Sequence, residues 1–529
     1  MREEILNLIK DKRLLLAKEI FDILENFEDP ELAKSFLENL EKVSGQKVIT
    51  KSSLNKNYEY AKELAKNLSG NLKESVEKTL IKLGITLEIK KERQIREVKI
   101  KSNEESPSIK YKIIAPEFSN EKKIEVKDFV GHFRSRYQQI QRILLNRQGL
   151  NNLTSINKIP IGTRQKFTII GIVAEKRVTK NKNLIIKFED LTGEVSALVK
   201  NESESFLNAS ELQLDDVVAV KCSGNREITF VHEIIYPDAI LLEKTKFDKE
   251  AYIAFISDIH AGSKKHLKKE FQNFVYWLNS DNELAKKIEY IFFVGDNVDG
   301  VGIFPGQENS LEIKNLREQY NLLAAYLDKI PKRIAMFMCP GQHDSVRVME
   351  PQPPIDEHYG ADLYEISNLV LVPNPCMVKL LEGDKEFRIL MYHGGSIHAL
   401  INEIEELRLM KAHNCPAKAI KHMLKRRHLA PMHGVSPQIV YVPCAEKDPM
   451  VIEEVPNILC TGEVHRVDIE RYNGILIITG SCWQSQTAFE EKLGNIPDPC
   501  KVPLFNLKTS EMKILDFLDE FKEGENENK

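Results

Sequence analysis

The phrase Phe255-Ile-Ser-Asp-Ile-His260 decides the fold, because an apolar run ends there on an aspartate and a histidine two positions apart. Four later phrases have the same form, with a short apolar run that ends on Asp, Gln, Glu or His: Val294-Gly-Asp-Asn-Val-Asp299, Pro340-Gly-Gln-His-Asp344, Met391-Tyr-His393 and Thr461-Gly-Glu-Val-His465. One such phrase carries little information. Five in this order indicate a single metal site assembled from the ends of several strands.

The surrounding segments predict the domain that holds this site. Seven apolar, β-rich runs occupy residues 252–256, 290–294, 334–338, 369–372, 387–392, 458–459 and 475–478. Several are wholly hydrophobic, which is typical of strands covered on both faces. The polar clusters follow them, where layered α/β proteins place their ligand sites. We therefore predict an α/β fold over residues 250–515, a layered β-sandwich flanked by helices.

The first half of the chain has a different character. Residues 1–70 predict a small N-terminal helical module of unassigned role, and residues 71–120 a charged linker rich in Lys, Glu and Ser. A helical connector follows at residues 121–160. Residues 161–245 contain five short strands with a helix between the third and fourth, which is the order of an OB-fold barrel. Residues 516–529 form a polar tail.

Composition limits the classes of function. The chain has 529 residues, enough for two or three domains, and a net charge of −4, which gives no global basic field for nucleic acid. Its eight cysteines include no C-x-x-C pair, so neither a disulfide framework nor a zinc knuckle is indicated. The charged N-terminus has no long apolar stretch, and we expect a cytoplasmic protein without a membrane span.

The residue types in the clusters indicate the chemistry. Asp258 and His260 share one face of an extended segment, Asp296 follows the next strand, and His393 and His465 add imidazoles from later strands. Mixed Asp and His ligation suits manganese, iron or zinc better than calcium. Two such ions can hold a hydroxide and the oxygens of a phosphate. The predicted reaction class is phosphoester hydrolysis.

Two further groups are candidates for contact with the substrate. We expect His343 to stabilise the transition state or to protonate the leaving oxygen, and Asp344 to orient its ring. A dense basic patch on a predicted helix could hold DNA phosphates, and Phe304 could stack on a terminal base. The patch comprises Lys421, Lys425, Arg426 and Arg427. A solvated helix face, or a surface that docks another subunit, is an equally open interpretation of that patch.

The clusters resemble the calcineurin-like metallophosphoesterases, whose pattern is D-x-H, G-D-x-x-D, G-N-H-D, a lone H and G-H-x-H. Longer phrases resemble more specifically the small subunits of archaeal family-D DNA polymerases: Gly295-Asp-Asn-Val-Asp-Gly-Val-Gly-Ile-Phe-Pro305, Pro340-Gly-Gln-His-Asp-Ser-Val-Arg347, Glu350-Pro-Gln-Pro-Pro354, Met423-Leu-Lys-Arg-Arg-His-Leu-Ala-Pro431 and Trp483-Gln-Ser-Gln-Thr487. The first 110 residues add little to the resemblance.

This resemblance implies a 3′–5′ exonuclease that proofreads for a separate large polymerase subunit, in a heterodimer or larger assembly. Primer–template DNA and the sliding clamp are further implied partners. It also implies two divalent ions, with manganese favoured and iron, zinc or magnesium as alternatives. The first would be held by Asp258, His260, Asp296 and His465, and the second by Asp296, Gln342, His393 and Glu463. His343 would be the catalytic histidine.

Two departures from the family pattern fall on the second ion. Gln342 stands where the family has Asn, and Glu463 stands where it has the first His of G-H-x-H. A carboxylate is a harder donor than imidazole and favours manganese or magnesium over zinc. A structural subunit with a decayed site therefore stays open as an alternative, as does a free-standing phosphoesterase. The intact Asp and His residues argue against full decay, and the barrel argues for a macromolecular context.

Overall fold

A computed structural model of the chain describes residues 15–16, 48–49, 110–116, 118, 123–432, 440–493 and 495–518. The chain divides into two units, Met1–Ile95 and Arg96–Lys529. In the first, Leu15–Leu16 pairs in parallel with Val48–Ile49. The rest of the helical module predicted for residues 1–70 lies outside the described residues, as do most of the predicted linker and of the polar tail.

The second unit begins with strand β1 (Lys110–Ile114) and helix α1 (Val126–Leu145). β1 pairs antiparallel with the later strand Cys376–Glu382, so the prediction of a linker is wrong for this segment. The signal was missed because the strand lies at a sheet edge, half exposed and rich in lysine. α1 begins with a capping box between Glu125 and Asp128 and occupies the predicted helical connector.

A closed barrel follows α1. Its strands are β2 (Gln165–Val178), β3 (Leu184–Asp190), β4 (Gly193–Val199), β5 (Val217–Gly224) and β6 (Thr229–Ile235). They close in the order β2-β3-β4-β6-β5, and α2 (Phe206–Ser210) lies between β4 and β5. Alternate residues of β3 point into the core, as a barrel wall requires. The five strands, with a helix between the third and fourth along the chain, are as predicted. Membership of the OB-fold family stays a prediction.

Eleven more strands build the remainder of the unit. They are β7 (Tyr252–Ile256), β8 (Ile288–Val294), β9 (Ala335–Cys339), β10 (Leu369–Leu371), β11 (Cys376–Glu382), β12 (Lys385–Met391), β13 (Ile458–Thr461), β14 (Asp468–Tyr472), β15 (Ile475–Thr479), β16 (Lys501–Asn506) and β17 (Met512–Asp516). One six-stranded sheet has the order β10-β9-β8-β7-β16-β17, and the other has the order β14-β15-β13-β12-β11-β1. Strands β7 to β10 run parallel, as do β12, β13 and β15.

The two sheets pack face to face and form a β-sandwich. Phe255, Phe292 and Phe337 of the first sheet share one buried cluster with Val378 and Ile478 of the second. The helices of this part of the chain are α3 (Lys268–Leu278), α4 (Glu283–Lys286), α5 (Leu316–Leu327), α6 (Glu357–Tyr364), α7 (Ile397–Glu403), α8 (Glu405–Leu409), α9 (Ala417–Arg426) and α10 (Ala488–Leu493). Helices α3 and α5 pack on the outer face of the first sheet, and α7 and α9 on that of the second. The predicted α/β fold, a layered β-sandwich flanked by helices, is confirmed.

Single-turn 3-10 helices occur at Ile156–Lys158, Gln307–Asn309 and Ala412–Asn414. None of the helices in the described part of the chain combines the length and the apolar character that a membrane span needs.

The basic helix α9 joins the sandwich to the barrel. Arg426 is 3% exposed, and its Nε donates to both carboxylate oxygens of Asp216 at 2.9 and 3.1 Å. Lys425 donates to Glu211 at 2.5 Å and lies over the ring of Tyr236. Both acidic residues belong to the segment that connects α2 to β5 of the barrel. The ion pairs therefore hold two domains together.

The remaining basic side chains of this region are also engaged within the protein. Lys421 donates to Glu470 on β14, and Arg427 donates to the backbone carbonyls of Ile452 and Glu453. The predicted contact between this patch and DNA is therefore wrong for Arg426 and Arg427, which are buried. It is unsupported for the two lysines, whose charges are paired. In the sequence the patch contains only basic residues, because the acidic residues that pair with them lie far away along the chain.

Removing Asp216 tests the energetic role of this junction. Asp216→Ala leaves the Arg426 guanidinium buried without its carboxylate, and breaking a buried ion pair in this way costs roughly 3–5 kcal/mol. We expect the free energy of unfolding to fall by that amount in denaturant titrations. The matched control is Glu233→Ala, which breaks the half-exposed pair with Lys221 and should cost about 1 kcal/mol or less. Equal losses in the two variants would contradict the assignment.

The junction also predicts a pH dependence through His422. Arg426 Nη1 donates to His422 Nδ1 at 3.0 Å, so the ring accepts there and is neutral. Burial, and then the neighbouring Arg426, lower the pKa of His422 to about 3. The unfolded chain takes up this proton below about pH 6.5 and the folded chain does not, so stability falls as the pH decreases.

Between pH 7 and pH 5 this linkage amounts to about 2 kcal/mol. We expect His422→Gln, which keeps an acceptor for Arg426, to lose about 2 kcal/mol less than the unsubstituted chain over that interval. Urea unfolding at the two pH values measures the difference. An identical pH dependence in both proteins would show that His422 does not control it.

Candidate metal centre

The predicted site residues converge at one end of the sandwich. Asp258 and His260 follow β7, Asp296 follows β8, Gln342 and His343 follow β9, His393 follows β12, and Glu463 and His465 follow β13. Because these strands run in the same direction within each sheet, their carboxyl ends meet at a common edge. The structure thus brings together side chains that lie up to 207 positions apart in sequence, from Asp258 to His465.

The backbone at this edge is strained. Several of the site residues adopt positive φ, which is costly for residues that carry a Cβ: Asp258 (51°), His260 (49°), Asp296 (46°), Glu463 (73°) and His465 (57°). Gly295 has φ +79°, and a Cβ there would collide with the ring of His393. Such backbone persists where the surrounding structure over-determines it, and it clusters at functional sites.

One group of potential ligands consists of Asp258, His260 and His465, whose ligating atoms all lie within 4.8 Å of one another. His260 Nε2 is 3.2 Å from His465 Nε2, and His465 Nε2 is 3.4 Å from Asp258 Oδ1. Separations near 3 Å are those of neighbouring ligands around one ion, since each bond to a metal is about 2.1 Å.

A second group shares the first carboxylate. Ligand atoms of Asp258, Asp296 and His393 lie within 4.8 Å of one another, with His393 Nε2 at 3.3 Å from Asp296 Oδ2. Glu463 Oε2 is 3.1 Å from the same Nε2. The two groups are adjacent, so the arrangement suits a pair of ions that share aspartate ligands.

Four histidines present the same nitrogen to the centre. The Nδ1 atom of each ring faces an acceptor outside the cluster: Asp299 Oδ1 for His260 (3.1 Å), the Asp299 carbonyl for His343 (2.7 Å), the Val294 carbonyl for His393 (2.8 Å) and Glu490 Oε1 for His465 (2.8 Å). These acceptors require a proton on Nδ1, which leaves Nε2 directed into the site. Metal-ligating histidines are held in this way.

The electrostatics of the cluster favour a cation. Burial alone would lower the pKa of His393, but Asp296 and Glu463 outweigh it and raise that pKa well above its ordinary value. His393 Nε2 and Gln342 Oε1 are buried, and neither makes a hydrogen bond to any part of the chain that the structure describes. A divalent ion would satisfy both atoms and compensate the carboxylates, so the residues present fit the implied metal.

The predicted role of Asp344 is wrong. Its carboxylate accepts from the backbone of Asn297 and Gly341, from the Asn297 side chain and from the Tyr320 hydroxyl, and not from His343. Burial, with a smaller contribution from Asp296, raises the pKa of Asp344 to about 6. Asp344 therefore fixes the loops that carry the site, and the His343 ring is oriented by a backbone carbonyl.

Two acidic residues that orient ligand histidines were missed by the sequence analysis. Asp299 accepts from His260, and Glu490 accepts from His465. Asp299 lies within one of the recognised phrases, and its spacing could have revealed it. Glu490 forms a capping box with Thr487 at the start of α10, a signal that predicts a helix start but gives no indication of the site.

The surface beside the centre carries an exposed aromatic side chain. Phe304 is 47% exposed in the loop between β8 and α5, a few residues after Asp299. Its predicted contact with a terminal base stays a prediction.

Comparisons with known proteins agree with this architecture. The family model for the B subunit of DNA polymerases alpha and epsilon matches residues 253–467. The DNA polymerase II small subunit of Methanothermobacter thermautotrophicus is 36% identical over 402 residues, covering 74% of this chain and 80% of its own. That of Pyrococcus furiosus is 35% identical over 408 residues and 75% of this chain, which spans 65% of the relative's length.

Solved structures match more remotely. One described as a novel archaeal phosphodiesterase covers 50% of this chain and 98% of its own, with 12% sequence identity and a TM-score of 0.24. A likeness of this extent carries no functional argument.

The contact between Glu490 and His465 makes a prediction about metal binding. Glu490→Ala removes the acceptor that sets the tautomer and orientation of His465, and losing such a partner typically weakens metal binding about 10–100-fold. We expect this loss for the ion bound by Asp258, His260 and His465, measured by calorimetric titration with Mn²⁺. Glu491→Ala, an exposed neighbour on the same helix, is the control and should bind Mn²⁺ normally. Equal affinities in the two variants would exclude a supporting role for Glu490.

Proposed function

Because the chain belongs to the family of archaeal DNA polymerase II small subunits, we propose that it is a metal-dependent 3′–5′ exonuclease that proofreads for a large polymerase subunit. The proposed substrate is the 3′ end of primer–template DNA. The proposed partners are the large catalytic subunit and, beyond it, the sliding clamp.

The observation that carries this proposal is the common orientation of the four histidines. Each presents Nε2 to a centre that contains Asp258 and Asp296, and each is held by an acceptor on its other nitrogen. Histidines that served only packing would not need to share this arrangement, and four of them share it at the carboxyl ends of the strands. The site is built to hold cations next to a phosphate.

Two ions would be held by residues that follow the strands of the two sheets. Asp258, His260, Asp296 and His465 would bind the first, and Asp296, Gln342, His393 and Glu463 the second. When bound, such ions supply Lewis acidity towards the phosphodiester and lower the pKa of a water molecule. The mixed oxygen and nitrogen donors, with a carboxylate at Glu463, favour manganese.

His343 differs from the other three histidines in ways that suit proton transfer. Its side chain is 22% exposed, and its Nε2 lies 4.0 Å from Asp296 Oδ2, farther than that of His393. Burial alone would lower its pKa, but Asp296 and the Asp299 carbonyl outweigh burial and raise it. A protonated His343 can donate its Nε2 proton to the 3′ oxygen that leaves when the terminal nucleotide is released.

A scaffold subunit with an inactive site is the competing proposal, and only Gln342 and Glu463 favour it. Gln342 Oε1 is buried without a hydrogen bond inside the described chain, and Glu463 faces His393. Neither residue fills the site with an apolar group or a cation. These two departures therefore change the donors and leave the centre open to an ion.

The nuclease proposal predicts release of the 3′-terminal nucleotide from a mismatched primer in Mn²⁺, by the full chain alone or with the large subunit. His343→Ala should lower the rate about 10²–10⁴-fold, the usual contribution of general acid catalysis, while the fold and Mn²⁺ affinity are kept. Primers labelled at the 5′ or the 3′ end distinguish the polarity of digestion.

The matched control is His358→Ala, which removes an exposed histidine on α6 and should leave the rate unchanged. Absence of nucleotide release from folded protein under both conditions would establish the scaffold alternative. An unchanged rate in His343→Ala would remove this residue from the mechanism.

A further inference from the structure

Glu463 has two imidazole partners, one on each carboxylate oxygen. Oε2 lies 3.1 Å from His393 Nε2, inside the site, and Oε1 lies 3.6 Å from His398 Nε2. His398 stands on α7, five residues after His393, and its side chain is 35% exposed. None of the five strand-end phrases contains His398.

The location of His398 is set by the residues around it. Ser396, at the start of α7, receives a hydrogen bond from the Tyr392 hydroxyl on its side-chain oxygen and donates its backbone N–H to the same hydroxyl oxygen. The Ser396 hydroxyl also donates to the Leu429 carbonyl at 2.5 Å. These contacts are buried, so the first turn of α7 is fixed against the sheet.

The start of α7 also lies close to the loop that carries Glu463. A Cβ on Gly394 would come within 3.2 Å of Glu463 Cβ, so the backbone at Gly394 lies directly against that side chain. The His398 ring also stacks on His413, with centroids 5.2 Å apart and planes at 29°. His398 thus contacts both Glu463 and a second ring.

We propose that His398 is a positioning residue for Glu463: its Nε2, 3.6 Å from one carboxylate oxygen, favours the orientation in which the other oxygen is presented to the second ion. This inference rests on the proposed function, because it concerns the same centre. A glutamate has more rotamer freedom than an imidazole and can turn away from the site. A partner near Oε1 restricts that freedom.

The proposal explains how a carboxylate serves at a position where the family pattern has an imidazole. An imidazole ligand is oriented through its second ring nitrogen, as the four site histidines are. A carboxylate is oriented through its second oxygen. His398 would do for Glu463 what Glu490 does for His465.

The test is binding of Mn²⁺ to the metal-free full chain, followed by electron paramagnetic resonance and calorimetry. We expect two ions to bind to the unsubstituted protein. His398→Ala should weaken the second ion about 10–100-fold and leave the first unchanged. His398→Gln, which keeps an N–H donor, should recover most of the affinity. His358→Ala is the matched control and should bind both ions normally.

A double-substitution cycle separates positioning from a general structural effect. In Glu463→His there is no carboxylate to orient, so adding His398→Ala should change the affinity of the second ion by less than about threefold. An equal loss in both backgrounds would overturn the proposal, as would an undiminished second ion in His398→Ala. If His398→Ala does not fold, His398→Gln decides, and loss of the second ion in that folded variant would count against the proposal.

The same titration distinguishes failure of this inference from failure of the proposed function. If the unsubstituted chain binds no second ion, the two-ion centre fails and this inference fails with it. If it binds two ions and His398→Ala also binds two with equal affinity, only the role of His398 is overturned.

Discussion

The buried carboxylates and imidazoles at the carboxyl ends of the two sheets are the constraint on which the rest of this structure depends. Asp258, Asp296 and His393 are almost fully buried, and a buried charge is costly unless it is paired. The surrounding loops also hold several non-glycine residues at positive φ. Only a rigid scaffold can maintain both features, and the aromatic core between the sheets provides it.

The junction between the barrel and the sandwich also contains a buried charge, which is a cation in this case. Arg426 is buried, and it is compensated by the carboxylate of Asp216, both of whose oxygens accept from its Nε, and by a hydrogen bond to the Glu211 carbonyl. Its third neighbour, His422, accepts a hydrogen bond and stays neutral. The basic residues of α9 are therefore consumed by the architecture.

The sequence predicted the parts of the fold that combine a strong hydrophobic pattern with local signals. Fully buried strands such as β7, β8 and β9 are continuous apolar runs, and the ligands follow them directly. Strands β1, β14 and β17 were missed because they are half exposed and lie at sheet edges, where no such run occurs. Strands β11 and β16 were also missed, although they lie inside the sheets and are largely buried. The partners of α9, and the acceptors of Asp344 and His465, depend on tertiary contacts that no local pattern encodes.

The second group of potential ligands, around His393, bears on whether the site has decayed or is functional. In a site that no longer binds ions, the buried charges keep their desolvation cost. Replacing them with apolar residues is often neutral or stabilising, so such replacements are expected in a decayed site. Here Asp296 and Glu463 remain acidic and both contact His393 Nε2, while the buried Gln342 Oε1 has no hydrogen bond within the described chain. The second carboxylate oxygen of Glu463 also has its own partner, His398. Under the proposed function, replacing a histidine by this glutamate would change a ligand, which differs physically from the loss of one.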